Sequence, residues 1–473
     1  MVADLAVYTV VHQPRRLKLP AQPIPRGATP EDIAHCLFDE RMNERYFRKV
    51  AQYSYYPAVQ MFLDLVRQGM KLSIGLSLSF VRQTRLWDPV LLELFRELIA
   101  HENVELVGVE PYHSFLFLLD VPFFVSWMRK MAQDLEEIFG KRPVVTDTTE
   151  MSMSVKIYDA LDEAGFRGAV MDGRSWVLDW REATHLYHYG EEAPYAIPVT
   201  GPKGRRTTRR AGAAKEQVSR HSPYLLTRHL DLSDDVGYRF SNRQWSGFPL
   251  YAETYANWIA QTRGDLLLLG WDFETFGEHH REDSGIFDFM RSLPAELEKH
   301  QVRFHTVSEL IERHQERSNH LPLPVFPTTW AGSGGMDFFL GNEAQRTTYQ
   351  LMNEVYGLAR LTEHPELIDI AIWLAQSDNL HLIQWYGRQG QEAEVSAYFT
   401  PHEWWSLGEP QQIIHEQQQV YLNAVEAMQP YLPARLQRQP RPARKPTTRV
   451  SRKKKAEIVE LELATAPAVT RRK

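Results

Sequence analysis

The chain has 473 residues, 43% hydrophobic and 24% charged, with 54 Lys/Arg against 60 Asp/Glu and a net charge of −6. That is the composition of an ordinary globular protein with room for two or three domains. The single cysteine, Cys36, excludes an intrachain disulfide framework. The first residues lack the basic start and apolar stretch of a signal peptide, and no apolar run reaches the ~20 residues of a membrane helix, so a cytoplasmic location is expected.

In chain order, short apolar runs end repeatedly in polar or ionisable residues. Leu5–Val11 ends at His12, and Lys71–Leu78 ends at Ser79. Val104–Val107 leads to Glu110 and His113. Pro143–Val145 leads through Thr146–Thr149 to Glu150, and Leu266–Trp271 ends at Asp272. Runs of this kind suit strands buried on both faces, as in a parallel sheet. Between them, Glu44–Gln68, Val90–Ala100 and Ser154–Ala164 carry apolar residues at helical spacing. The alternation predicts βαβ units closed into a parallel barrel over residues 1–320, with chemistry at the strand ends. Beyond it, Gly341–Leu361, Glu366–Ala375 and Gln411–Met428 predict an α-helical domain over 321–432, entered through a Pro-rich junction at Leu321–Pro327.

Two segments stand apart by charge. Residues 201–222 are basic and read as a surface insertion of the barrel. Arg435–Lys473 holds 13 Lys/Arg against 3 Asp/Glu, leaving 41 against 57 elsewhere. This tail, 433–473, has too few large apolar residues to offset ordering and is expected to be disordered. It could touch an anionic surface, but a solvated extension is the simpler reading, and a nucleic-acid partner is not expected.

The aromatic share of 11%, with 12 Trp and 20 Tyr, supplies flat faces on which sugar rings stack, although composition alone favours a large aromatic core. Glycoside hydrolysis usually needs two carboxyl groups flanking the scissile bond. Asp272 at the rim of a buried strand would have a raised pKa and serve as an acid near neutral pH. Glu150 follows a Thr-rich turn whose hydroxyls could keep it ionised, as a nucleophile requires. Spacing alone favours the plainer alternative, that each acid caps a helix or pairs with an Arg. His12, His113, His279 and His280 invite a metal reading. Polysaccharide deacetylases, however, carry two adjacent aspartates on their first strand, where this chain has His12-Gln13-Pro14, and nothing here fixes a ligand set. No G-x-S-x-G elbow, P-loop or G-x-G-x-x-G after a strand is present.

Several stretches resemble glycoside hydrolase family 57, in particular its α-amylase-like branch. These are His12-Gln13-Pro14-x-Arg16, Phe38-Asp39-x-x-x-Asn43, Tyr56-Pro57-Ala58, Val104-Glu105-Leu106 with Tyr112-His113-Ser114, and Thr149-Glu150. Asp272-Phe273-Glu274-Thr275-Phe276-Gly277-Glu278-His279, Leu232-Ser233-Asp234-Asp235, Arg239–Arg243 with Trp245, and Ser377-Asp378 complete the set. The resemblance spans about residues 5–390. It implies a (β/α)7 barrel followed by a helical bundle, no required metal or other cofactor, and a retaining mechanism on α-glucans. Carried over, Glu150 is the nucleophile and Asp272 the general acid/base. His12, His113, Trp245, Glu274 and Asp378 would contact substrate. The chain departs from the family pattern at Asp147-Thr148, where Arg-Asn is usual, at Val109, and at Gly332 and Asn379. An acid at 147 in place of Arg is expected to raise the Glu150 pKa. The resemblance leaves open a hydrolase, a 4-α-glucanotransferase or branching enzyme working through the same intermediate, and a catalytically weak glucan-binding protein.

Overall fold

A computed structural model describes residues 1–190, 223–386, 401–434 and 436. The basic insertion at 201–222 and the tail from 437 onward lie outside these residues.

The apolar runs form strands, and seven of them close into a ring. These are β1 Asp4–Val11, β2 Leu72–Leu76, β3 Val104–Val107, β4 Val145–Thr146, β5 Gly168–Asp172, β7 Tyr224–Arg228 and β8 Leu266–Asp272. Strand β1 pairs with β2 and β2 with β3, all parallel. A parallel bridge between Gly108 and Thr146 joins β3 to β4. Parallel pairings of β4 with β5, β5 with β7, β7 with β8 and β8 with β1 complete the barrel. Three shorter strands lie outside the ring. Strand β6, Leu186–His188, runs antiparallel along β7, β9, Arg303–His305, pairs with β1, and β10, Asn319–His320, pairs with β6.

The period of two along each strand divides the core. Ala6, Tyr8, Val10, Val107, Val145, Val170, Leu226 and Leu268 fill the barrel interior. Leu5, Val7, Leu72, Ile74, Leu225 and Leu267 face the surrounding helices in a second, larger core. Strands apolar on both faces are the continuous apolar runs of the sequence. At Gly75 on β2, a side chain would collide with Val109 and the Tyr8 hydroxyl, so the missing Cβ is what admits Tyr8 to the interior.

The single helix expected over Glu44–Gln68 is two α-helices, Glu40–Val50 and Tyr56–Arg67, joined by a π-helical turn at Ala51–Tyr55. Pro57 is the cause. It has no N–H for the Tyr53 carbonyl, and its ring would clash with that carbonyl in an α-turn. The helices expected near 90–100 and 154–164 are Pro89–Ala100 and Val155–Ala164, the latter capped by the Ser154 hydroxyl.

The C-terminal helices Glu343–Thr362, Pro365–Leu374 and Pro410–Met428 lie close to the three expected, and a further helix, Asp378–Trp385, was not expected. Residues 1–431 group as one unit. The Pro-rich stretch at 321–327 is held to the barrel, with the Val155 N–H donating to Pro324 O at 3.0 Å. The N-terminal segment is held in turn by the last long helix, through Ala21 N–H to Glu416 and Asn423 to Gln22 O, each at 2.8 Å. No helix among the described residues is long and apolar enough to cross a membrane.

Candidate active site

Parallel closure places every strand's C-terminal end on one face, where side chains need no partner within the sheet. His12 follows β1, His113 lies beyond β3, Glu150 follows β4, Arg174 follows β5, and Arg228 and Asp272 end β7 and β8. All of these line a single cavity of about 450 Å³, together with Glu274, Trp330, Asp378 and His381. The helical part closes it by contributing Asp378 and His381.

Glu150 sits in a 3-10 turn with φ 60 and ψ 30, a left-handed conformation uncommon outside glycine. His113 shares it, with φ 58. Such strain persists only where surrounding bonds over-determine the backbone. At Glu150 the carbonyl accepts from the Trp330 N–H at 3.0 Å, while the Trp330 indole Nε1–H donates to Glu150 Oε2 at 2.7 Å. At His113 the turn is built on Glu110, a fully buried carboxylate that accepts from the N–H groups of Tyr112 and Ser114, the Ser114 hydroxyl and the Trp127 indole. His113 Nδ1 lies 3.7 Å from Glu150 Oε1.

Burial raises the Glu150 pKa to about 8; the Trp330 and Ser377 hydrogen bonds oppose this, and the charges of Asp378 and Asp272 add to it. This differs from expectation in two respects. The threonine hydroxyls do not reach the carboxyl: Thr146 bonds Gly108 O, Thr148 bonds Ser152 O and Thr149 bonds Ser114 O. The rise is expected, but its chief cause is desolvation rather than Asp147. That carboxyl is itself pushed far up by burial, and it accepts the Tyr8 hydroxyl at 2.9 Å inside the barrel.

Asp272 is raised to about 7, again by burial first, with Arg228 pulling down and Asp378 pushing up. Arg228 is held rigidly: it donates to Gly270 O at 2.8 Å, to Asp172 at 3.0 Å and to Asp234 at 2.5 Å. Its guanidinium also stands 5.7 Å from the centre of the Trp330 ring.

The His12 and His113 rings stack at 4.6 Å. His12 Nδ1 is 2.9 Å from Ser77 Oγ, His113 Nδ1 is 3.1 Å from Ser377 Oγ, and His12 Nε2 is 3.2 Å from Asp378 Oδ2. Burial works against the Asp378 charge, but His12 and, less strongly, His113 bring its pKa down to about 2. Burial lowers His113 to about 3, leaving a neutral imidazole at physiological pH. Among the described residues, His12, His113 and Asp378 are the group whose atoms are close enough to share a metal ion, within 4.8 Å of one another. His279 lines the cavity, whereas His280 turns away to Ser241 and Gly237.

Of the substrate contacts expected from the sequence, His12, His113, Glu274 and Asp378 reach the cavity and Trp245 does not line it. Trp245 packs edge-on to Trp258 at 6.2 Å, and Gly247 gives its ring room. Glu274 is mostly an anchor: it accepts the Tyr55 hydroxyl at 2.6 Å, and Gln13 donates to that same hydroxyl at 2.8 Å.

A family model described as Glycosyl hydrolase family 57 matches residues 6–322. The chain belongs to this family. A Methanocaldococcus jannaschii protein that bears the provisional name alpha-amylase is 29% identical over 78% of this chain and 74% of its own length. Among solved structures, the 4-alpha-glucanotransferase of Thermococcus litoralis superposes with a TM-score of 0.60 at 14% identity, over 91% of this chain; the match spans only 60% of that longer chain. The family 57-type branching enzyme of Pyrococcus horikoshii superposes with a TM-score of 0.57 at 14% identity, over 91% of this chain and 97% of its own. At such identities the superpositions establish a shared fold.

Within this family 57 site, sequence reasoning passed over Arg174, Arg228, Trp330 and His381. Arg228 was within reach, since it ends the apolar run Leu225–Thr227 as Asp272 ends its own. Trp330 stands in Trp330-Ala331-Gly332, a stretch that resembles a family motif but for the missing Asp, and nothing in that motif points to its bond with Glu150. It lies in an irregular loop 180 residues from the carboxylate it bonds, and only the fold brings the two together.

Proposed function

We propose that the chain is a retaining glycosidase acting on α-glucans, with Glu150 as nucleophile and Asp272 as general acid/base. The observation that carries this reading is that two largely buried carboxyls, from strand ends across the barrel rim from each other, line one cavity, with the Asp272 charge acting on Glu150. Both have raised pKa values, about 8 for Glu150 and about 7 for Asp272, so near neutral pH they share one proton, which rests on Glu150 in the free protein and must pass to Asp272 when substrate is bound. A retaining mechanism uses that state: one group is ionised to attack and the other protonated to release the leaving group.

In the first step a Glu150 oxygen bonds to the anomeric carbon as the glycosidic bond breaks, and Asp272 gives its proton to the departing oxygen. In the second, Asp272 takes a proton from an incoming hydroxyl whose oxygen displaces Glu150. Trp330 holds one Glu150 oxygen in place, leaving Oε1 beside His113. Arg228 favours Asp272 as the carboxylate needed in the second step. Neutral His113 and the His12–Asp378 pair offer hydrogen bonds to sugar hydroxyls. The family relatives and the superposed glucanotransferase and branching enzyme support the substrate class and leave water or a sugar as the acceptor.

Incubation with maltooligosaccharides followed by product analysis tests the reading. New reducing ends mean hydrolysis, and redistribution of chain lengths means transfer; either is expected. No change in the presence of EDTA-treated or untreated protein would end the catalytic assignment.

A further inference from the structure

The cavity is modest for a polymer site, so a glucan chain must leave through its mouth. The wall formed by Trp330, Ala331 and Gly332 is followed in the chain by Ser333, to which an exposed tryptophan is tied. Arg174, which lines the cavity, holds this wall by donating to Gly332 O at 3.0 Å and to Trp330 O, and it pairs with Asp172 at 2.5 Å. Two residues on, the Trp176 indole N–H donates to Ser333 O at 3.2 Å. Trp176 is thereby held beside the cavity wall, and the residue is 51% exposed. Trp180 follows across the same turn at 77% exposure, with the Arg181 guanidinium 4.7 Å from its ring centre. Tyr238, also at the mouth, is 53% exposed.

The turn that presents the two tryptophans is strained. Asp179 has φ 58 and ψ −115, a conformation reached almost only by glycine. Burying a tryptophan is strongly favourable, so a backbone held in this state to display one calls for an occupant. The tryptophan faces suit the apolar C–H face of a hexose, while the indole N–H of Trp176 is already taken and fixes the ring's orientation. Through Ser333, which follows Gly332 of the lining, Trp176 is tied to the edge of the cavity.

We propose that Trp176 and Trp180 form an outlying subsite that stacks glucosyl units of an α-glucan chain emerging from the cavity, and that this subsite sets a preference for longer chains. The inference rests on the α-glucan reading above for its ligand class.

The test compares the full-length protein with Trp180→Ala, Trp176→Phe and the double variant Trp176→Ala/Trp180→Ala. The readouts are kcat/KM on maltotriose and maltoheptaose, and binding of maltoheptaose followed by tryptophan fluorescence. The double variant is expected to lower the maltoheptaose-to-maltotriose ratio about five- to tenfold, the scale of lost ring stacking. Trp176→Phe should keep most of the ratio. Trp180→Ala, at an exposed position that folding does not depend on, should lower it in part. An unchanged ratio in Trp180→Ala and in a natively folded double variant would overturn the subsite while leaving the α-glucan reading intact. If the wild type turns over neither sugar but binds maltoheptaose through these rings, the catalytic reading fails and the subsite stands. If it neither binds nor turns over either sugar, both fail.

Discussion

At the scale of single residues, the site is governed by what burial does to carboxyl groups. Glu150 and Asp272 are pushed up to about 8 and about 7 because the cavity withholds water from their charged forms. An acid whose pKa is higher in the folded than in the unfolded protein supports stability below the unfolded value, and that support is lost as pH rises through the folded value. The protein should therefore lose thermal stability as pH rises from about 4 to about 8, the span between ordinary carboxylate values and those of these two groups. Glu150→Gln and Asp272→Asn remove the charge and should melt about 2 °C or more above wild type at pH 9, with a smaller gap at pH 5. Melting curves at the two pH values check this, and equal gaps at both would show that the carboxyls are not strained by burial. Trp330→Phe tests the other side of the balance. It deletes the indole donor that favours ionised Glu150, so the nucleophile's pKa rises further and the acidic limb of the kcat/KM profile moves to higher pH. A loss of about tenfold or more in kcat/KM at neutral pH is expected from losing one charge-assisted hydrogen bond. A profile that keeps its shape would mean that Trp330 only packs.

At the scale of elements, the stretch from Asp272 to His279 is mainly a device for fixing the end of β8. Phe273 and Phe276 enter an aromatic cluster with Phe62, at ring distances of 5.6 and 5.3 Å, and Phe273 also packs on Phe95 at 5.5 Å. Glu278 pairs with Lys49 at 2.9 Å and Arg281 at 3.1 Å. Gly277, at φ 106, lies against the Tyr53 carbonyl, the one that Pro57 leaves without its helical partner. Proline, π-turn and glycine thus form a single joint between the helix over 40–67 and the strand end carrying Asp272. A methyl group on Gly277 would land on that carbonyl, at a backbone angle that alanine resists. Gly277→Ala should therefore cost about 2 kcal/mol or more in unfolding free energy and lower kcat by displacing Asp272. Chemical denaturation read beside activity checks it, and a stable, fully active variant would show that the joint is loose.

At the scale of the whole molecule, the barrel was legible where buried runs were long and ended in a marked residue. β1, β2 and β8 are of that kind, and each delivers a cavity side chain or its support. β5 and β7 were not singled out, although they carry Asp172 and Arg228 at their ends. Three of the C-terminal helices were legible from periodicity to within a few residues, whereas Asp378–Trp385, which carries Asp378 and His381 to the cavity, was not. What could not be read were contacts made between distant segments: Trp330 on Glu150, Asp378 on His12, and the π-turn carbonyl on Gly277. Each depends on barrel closure and on the packing of helices against the rim, and neither leaves a local pattern. Trp245 shows the converse, a residue marked by motif that packs beside the site rather than within it.

The division of labour between Glu150 and Asp272 is the account's central claim, and a covalent intermediate tests it most directly. α-Maltosyl fluoride carries a leaving group that needs little acid assistance, so an Asp272→Asn protein should still be glycosylated by it but be slow to release the sugar. Intact mass and peptide mapping should find one maltosyl unit, esterified to Glu150. A maltosyl ester on any other carboxylate, or turnover through Asp272→Asn with no adduct under single-turnover conditions, would contradict the account.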